Sequence, residues 1–197
     1  MLTPLRITRL LSKLSVSLLI SAGGLHSAIA QSGPAMVVLV RHAEKGTTGG
    51  NDPSLSEVGQ TRAKALVSAL NDAGVTAVIT TQYKRTSETG DAVAMARNLK
   101  TEKIATTGTT AAHIESVVAA IRKHPGEVVL VVGHSNTIPA IVRALGGPKV
   151  PDLCDANHAT MFVVYPGNDG APARVVRTRY GASEPEGAET CTSSVIK

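Results

Sequence analysis

Two runs without a polar side chain, Met36-Val37-Val38-Leu39-Val40 and Val128-Val129-Leu130-Val131-Val132, constrain the fold of this 197-residue chain most. A strand wetted on one face alternates apolar and polar residues, so a strand that is apolar throughout is covered on both faces. The stretches between these runs have helical spacing. The turn Asp52-Pro53-Ser54-Leu55-Ser56 leads into a helix predicted from about Glu57 to Asp72, with Val58, Ala65, Leu66, Ala69 and Leu70 inward and Gly74 ending it. Thr76 to Thr80 reads as a further strand and Lys84 to Leu99 as a helix. Ala111 to Lys123 is amphipathic through Ile114, Val117, Val118 and Ile121, and Thr137 to Leu145 is the last predicted helix. Two late strands, Thr160 to Val164 and Arg174 to Thr178, precede a tail that reads as irregular from about Gly181. Strands alternating with helices predict an α/β chain, folded as a three-layer α/β/α sandwich around a mostly parallel sheet.

One domain accounts for this length, and its core has to be aliphatic. Hydrophobic residues make up 43% of the chain, yet there is no Trp, one Phe and three Tyr. So few aromatics leave no stacking platform for bases, and nucleic acid is not an expected partner. Residues 1–30 read differently from the rest. Arg6, Arg9 and Lys13 precede the apolar Leu14-Ser15-Val16-Ser17-Leu18-Leu19-Ile20, and small residues follow at Ala28-Ile29-Ala30, the order of a secretory signal peptide cleaved after Ala30. Its serine-interrupted apolar stretch is shorter than the ~20 residues a membrane span needs. The expectation is therefore a single domain over 31–197, no stable membrane span once the signal is removed, and a periplasmic or secreted location. Setting Arg6, Arg9 and Lys13 aside lowers the formal charge from +5 to +2, so the basic whole-chain balance says little about partners. In an oxidising compartment the only two cysteines, Cys154 and Cys191, are expected to pair, the alternative being two separate thiols. Such a bond contributes about 3–4 kcal/mol in the chain-entropy model.

Ligands of open α/β sheets bind where the strands end. The first apolar run is followed at once by Arg41-His42, and the run ending at Val132 by Gly133-His134-Ser135-Asn136. The strand ending at Thr80 leads through Thr81-Gln82-Tyr83-Lys84 to Arg85. If these strands are parallel and central, two imidazoles and two guanidiniums meet in one crevice. Guanidinium forks match phosphoryl oxygens, and imidazole can donate a proton or attack, so the four residues together suit a phosphate dianion. Asp52-Pro53-Ser54-Leu55-Ser56 reads chiefly as a turn and helix cap, and Glu88 and Thr89 as helix packing. His113, His124 and His158 are expected to be ordinary surface or hydrogen-bonded histidines.

Four segments in order, Arg41-His42-Ala43-Glu44, Asp52 to Gln60, Arg85-Thr86-Ser87-Glu88-Thr89 and Gly133-His134-Ser135-Asn136-Thr137, give the chain a resemblance to the histidine phosphatase superfamily, the phosphoglycerate mutase-like proteins. The resemblance runs from about Met36 to Val164. It implies a metal-independent phosphohydrolase, without cofactor, in which His42 attacks phosphorus and becomes a phosphohistidine that water later hydrolyses. Arg41 and Arg85 would neutralise the equatorial oxygens and His134 would donate to them. It also implies a phosphatase acting on phosphomonoesters or other exposed phosphoryl groups. Partners on this reading are phosphorylated small molecules or phosphate groups of the cell envelope.

The chain departs from the family pattern at the carboxylic acid that protonates the leaving oxygen. The corresponding stretch, Ala105 to Glu115, lacks the Gly-x-x-Glu-Gly pattern. Glu44 is the first candidate for that proton donor, His113 the second, and the absence of any dedicated acid the third reading. The missing acid also keeps open a second class of function, a non-catalytic phosphate-binding or sensory module of the same fold.

Overall fold

The computed structural model describes residues 33–167 and 171–184. The signal-peptide reading, Cys191 and the end of the tail lie outside the described residues. The sheet has six strands, β1 (Met36–Arg41), β2 (Ala77–Thr80), β3 (Thr101–Lys103), β4 (Val128–Gly133), β5 (Thr160–Tyr165) and β6 (Arg174–Arg179), in the order β3-β2-β4-β1-β5-β6. The β3, β2, β4 and β1 neighbours are parallel, while β5 runs antiparallel to both β1 and β6. The two apolar runs are thus adjacent at the centre of the sheet. Their register pairs Arg41 with Gly133, which brings the residues that follow to the same edge at the same height.

Four helices cover the two faces: α1 (Glu57–Ala69), α2 (Lys84–Ala96), α3 (Thr110–Ile121) and α4 (Thr137–Ala144). Alternate residues of β1 point to opposite faces, as the pleat requires. Val37 and Leu39 join Val117, Ile121, Ile138, Ile141 and Phe162 in one core layer, and Val38 and Val40 join Leu66, Val93 and Leu130 in the other. Both layers are filled by aliphatic side chains, with Phe162 the one buried phenyl ring. No helix among the described residues is long and apolar enough to cross a membrane.

Three details differ from the sequence reading, each for a physical reason. Helix α1 stops at Ala69, and its buried positions are Gly59, Arg62, Ala63 and Leu66, whereas Val58 is 60% exposed and Ala69 faces outward. Apolarity alone mis-set that face, because Arg62 takes an inner position where its guanidinium meets Glu44 and the carbonyls of Tyr180 and Ala182. Helix α2 ends at Ala96, short of Leu99, at a turn where Asn98 has φ 54. Strand β3 carries no apolar pattern. It is a three-residue edge strand, Thr-Glu-Lys, of the polar kind that protects a sheet from further pairing.

Two close approaches bring α1 and α4 onto the functional edge. The N-cap Ser56 accepts from Gly59 N at 3.1 Å, and a Cβ on Gly59 would stand 2.1 Å from the carbonyl oxygen of Glu44. A larger residue there would push α1 off the segment that follows β1. A Cβ on Gly133 would meet Ile138 Cδ1 at 2.9 Å and Thr137 Oγ1 at 3.0 Å. Its absence lets the first turn of α4 fold directly over the end of β4.

Candidate active site

The carboxyl ends of β1, β2 and β4 open into a cavity of about 510 Å³. Its lining includes all four residues expected there: Arg41, His42, Arg85 and His134. Lys45, Tyr83, Asp155, His113 and His158 share the walls. Among the described residues no cluster of three or more His, Cys, Asp or Glu side chains is arranged to hold a metal ion.

His42 is fixed through both its main chain and its ring. Its backbone N–H donates to Gly133 O at 2.9 Å, and its Nδ1 lies 2.8 Å from Ala43 O. A carbonyl only accepts, so Nδ1 carries the proton and Nε2 keeps its lone pair. Ala43 N in turn donates to Thr89 Oγ1 at 3.0 Å, so the turn after β1 is tied to α2. Burial pushes the His42 pKa down to about 2; the hydrogen bond to Ala43 opposes this and the Arg41 charge adds to it. The ring is therefore neutral, as a nucleophile must be. His134 stands edge-on to it, ring centroids 5.5 Å apart, and burial followed by the charge of Arg85 lowers its pKa to about 4. Nε2 of His134 lies 3.3 Å from Thr81 Oγ1.

The two guanidiniums are held differently. Arg85 lies 4.3 Å above the centre of the Tyr83 ring and 4.0 Å from Asp52, and the same Asp52 carboxylate accepts from Lys84 N at 2.9 Å. Asp52 therefore caps α2, whose own N-cap Tyr83 supplies no side-chain bond, and orients Arg85 at the same time. Arg41 is buried and donates from Nη1 to the carbonyls of Cys154 and Asp155 at 2.6 and 3.0 Å, with Nη2 3.4 Å from the Asp155 carboxylate. Desolvation lowers its pKa, and Asp155 works against that shift.

Glu44 lies elsewhere. It is not part of the cavity wall, and its carboxylate accepts from Arg62 Nε and Nη2, both at 2.8 Å. Partial burial raises its pKa, but the Arg62 hydrogen bond and charge outweigh this and the net shift is downward. A carboxylate held ionised away from the cavity is not placed to donate a proton to a ligand there. Glu88 accepts from Leu55 N at 2.7 Å, so it fastens the turn before α1 to α2.

His158, expected to be an ordinary histidine, and His113, the second candidate for the proton donor, are both buried in the wall. His158 reaches the site because β5 is antiparallel: the residues before Thr160 sit at the edge where β1 ends, and Nδ1 of His158 lies 2.8 Å from His42 O. Burial, then the charge of Arg41, lowers its pKa. The direction of β5 is the signal that would have located it.

A buried imidazole, a second imidazole and two anchored guanidiniums thus meet at the strand ends of a doubly covered sheet, an arrangement with the donors a phosphoryl group would need. Residues 37–108 match the family model of the histidine phosphatase superfamily (branch 1). No curated protein matches the sequence. Among solved structures, the putative phosphohistidine phosphatase SixA from Agrobacterium tumefaciens is similar at 21% identity and TM-score 0.55, covering 76% of this chain and 99% of that one. The mycobacterial glucosyl-3-phosphoglycerate phosphatase Rv2419c, solved with inorganic phosphate, is similar at 17% identity and TM-score 0.56, covering 80% and 100%. YhfR from Bacillus stearothermophilus is similar at 17% identity and TM-score 0.54, covering 71% and 94%. At these identities the likeness establishes the fold.

Proposed function

We propose that the chain is a metal-independent phosphatase that works through a phosphohistidine on His42. The match of residues 37–108 to the histidine phosphatase superfamily model supports phosphatase-type chemistry. The observation that carries the finer reading is the state of His42: neutral, with Nδ1 committed to Ala43 O and Nε2 left in a cavity shared with Arg41, Arg85 and His134. A phosphoryl group seated there would take donors from both guanidiniums and a hydrogen bond from His134. Nε2 of His42 would displace the leaving oxygen, and water would then displace His42 from phosphorus. The two guanidiniums supply the positive field that phosphoryl transfer needs.

The direct test is turnover of p-nitrophenyl phosphate by the mature protein in EDTA. His42→Ala should reduce it to background, a loss on the order of 10⁶-fold as for other removed nucleophiles. Rapid acid-quench with a labelled substrate should trap an acid-labile, base-stable adduct that His42→Ala lacks. A phosphate-binding module is the competing reading, favoured by the absence of an uncommitted carboxylic acid from the cavity wall, where Asp155 is the one carboxylate. It predicts vanadate binding without any adduct. The substrate class on our reading is a phosphorylated small molecule or an envelope phosphate group met in the periplasm. Sequencing the mature N-terminus, expected at Gln31, tests that setting.

A further inference from the structure

Attack by His42 leaves the departing oxygen in need of a proton, and Asp155, His158 and His113 are the carboxyl and imidazole groups of the wall that the phosphohistidine reading leaves without a role. Position along the sheet separates them. In the order β3-β2-β4-β1-β5, His42 follows β1, His134 follows β4, Arg85 follows β2, and the segment from Thr106 to His113 follows β3. His158 and Asp155 precede β5, on the other flank of β1. Phosphoryl transfer keeps the attacking and leaving atoms roughly in line. With Nε2 of His42 on one side of phosphorus, the leaving oxygen departs from the other, and in strand order the segment after β3 is the part of the wall farthest from β1.

His158 is on the nucleophile's own side, its ring 5.7 Å from that of His42 and its Nδ1 on the His42 carbonyl. Asp155 is beside it and committed to Arg41. His113 occupies the opposite wall, 4% exposed, on the first turn of α3. Its Nδ1 lies 3.2 Å from Ala105 O. That carbonyl only accepts, so Nδ1 keeps its proton and Nε2 is the nitrogen that gains and loses one. Thr109 sets the ring's place by capping α3, accepting from Ala112 N at 3.2 Å.

Resting on the phosphohistidine reading, we propose that His113 is the leaving-group acid, in place of the carboxylic acid that this chain lacks. As the bond from His42 Nε2 to phosphorus forms and the P–O ester bond breaks, the ester oxygen takes the proton from Nε2 of the His113 imidazolium. Neutral His113 then takes a proton from the water that attacks phosphorus as the P–N bond breaks, which returns inorganic phosphate and the imidazolium. The substrate class that follows is an alkyl phosphomonoester, whose alkoxide leaves poorly unless protonated.

The test is a leaving-group series on the mature protein, from p-nitrophenyl phosphate through phenyl phosphate to glycerol phosphate, comparing wild type with His113→Gln and His113→Ala. The expected result is a steeper dependence on leaving-group pKa in both variants. The loss should be about 10²–10⁴-fold on glycerol phosphate, the range for general acid catalysis, and far smaller on p-nitrophenyl phosphate. Added imidazole should restore glycerol phosphate turnover by His113→Ala, which a merely structural role would not allow. Retained vanadate binding establishes that the variants fold; if His113→Gln does not bind it, the imidazole rescue of His113→Ala decides. An equal loss across the series, no loss, or a wild type that cleaves only p-nitrophenyl phosphate overturns the assignment of His113 and leaves the phosphatase reading intact. A wild type inactive on every substrate overturns both.

Discussion

Arg41, His42 and His134 stand at the ends of neighbouring parallel strands, whereas Asp155, His158 and His113 reach the same cavity from a loop and a helix. The strand-end residues are held by main-chain register: Arg41 opposite Gly133, and His42 N on Gly133 O. Residues of the other kind are held by single contacts with main-chain carbonyls, His158 to His42 and His113 to Ala105. The first kind has no freedom short of unravelling the sheet centre. The second kind can be altered one contact at a time.

That contrast can be broken by substitution. The largest of these effects is expected at Arg85, in the first turn of α2 beside the strand ends: Arg85→Ala should cut kcat/KM for p-nitrophenyl phosphate by about 10²–10³-fold, the cost of removing one donor to the developing charge. Arg85→Lys should recover only part, because an ammonium cannot reproduce the fork or the stacking on Tyr83. Glu44→Gln should act on stability and not on leaving-group dependence. It strands the buried Arg62 guanidinium, at a cost of about 3 kcal/mol read as a lower unfolding midpoint in urea. A leaving-group dependence that steepened in Glu44→Gln would return Glu44 to the role of acid.

Acid sensitivity sharpens the comparison further. His42 and His134 have folded pKa values lowered to about 2 and about 4, below the usual 6.5. Above pH 6.5 both rings are neutral folded or unfolded, and their contribution is fully present. As pH falls below 6.5 the unfolded chain binds protons that the folded state refuses, so stability drops through the folded pKa values, by up to about 1.4 kcal/mol per pH unit for each ring. Glu44, also lowered, adds its loss only below the usual carboxylate range. Melting temperatures at pH 7 and pH 5 should therefore fall for the wild type and fall less for His42→Gln. Asp155→Asn should do least. Its carboxylate is 91% exposed, so freeing Arg41 from it should strengthen phosphate binding by no more than about fivefold, measured by calorimetry.

The same division runs through what could be read without coordinates. The strand-end residues were legible because an apolar run followed at once by Arg41-His42 or Gly133-His134 states both the strand and where it stops. Arg85 was legible because α2 begins directly after β2. His158 was not, since it is local to nothing in the site: it bonds to a residue 116 positions earlier, across a strand whose antiparallel direction the apolar pattern does not encode. Glu44 was misread for the same reason, as its proximity to His42 in sequence gives no hint of Arg62 on α1.

By itself the sequence determined the sandwich and the edge at which Arg41, His42, Arg85 and His134 come together. Hydrophobic period and strand ends are local properties, and local properties survive in one dimension. Only the tertiary structure decided which flank of that edge each remaining histidine occupies, that Asp52 orients Arg85, and that Glu44 serves Arg62. Those assignments depend on strand order and on pairings between distant residues, which burial and hydrogen-bond satisfaction select only once the chain has closed on itself.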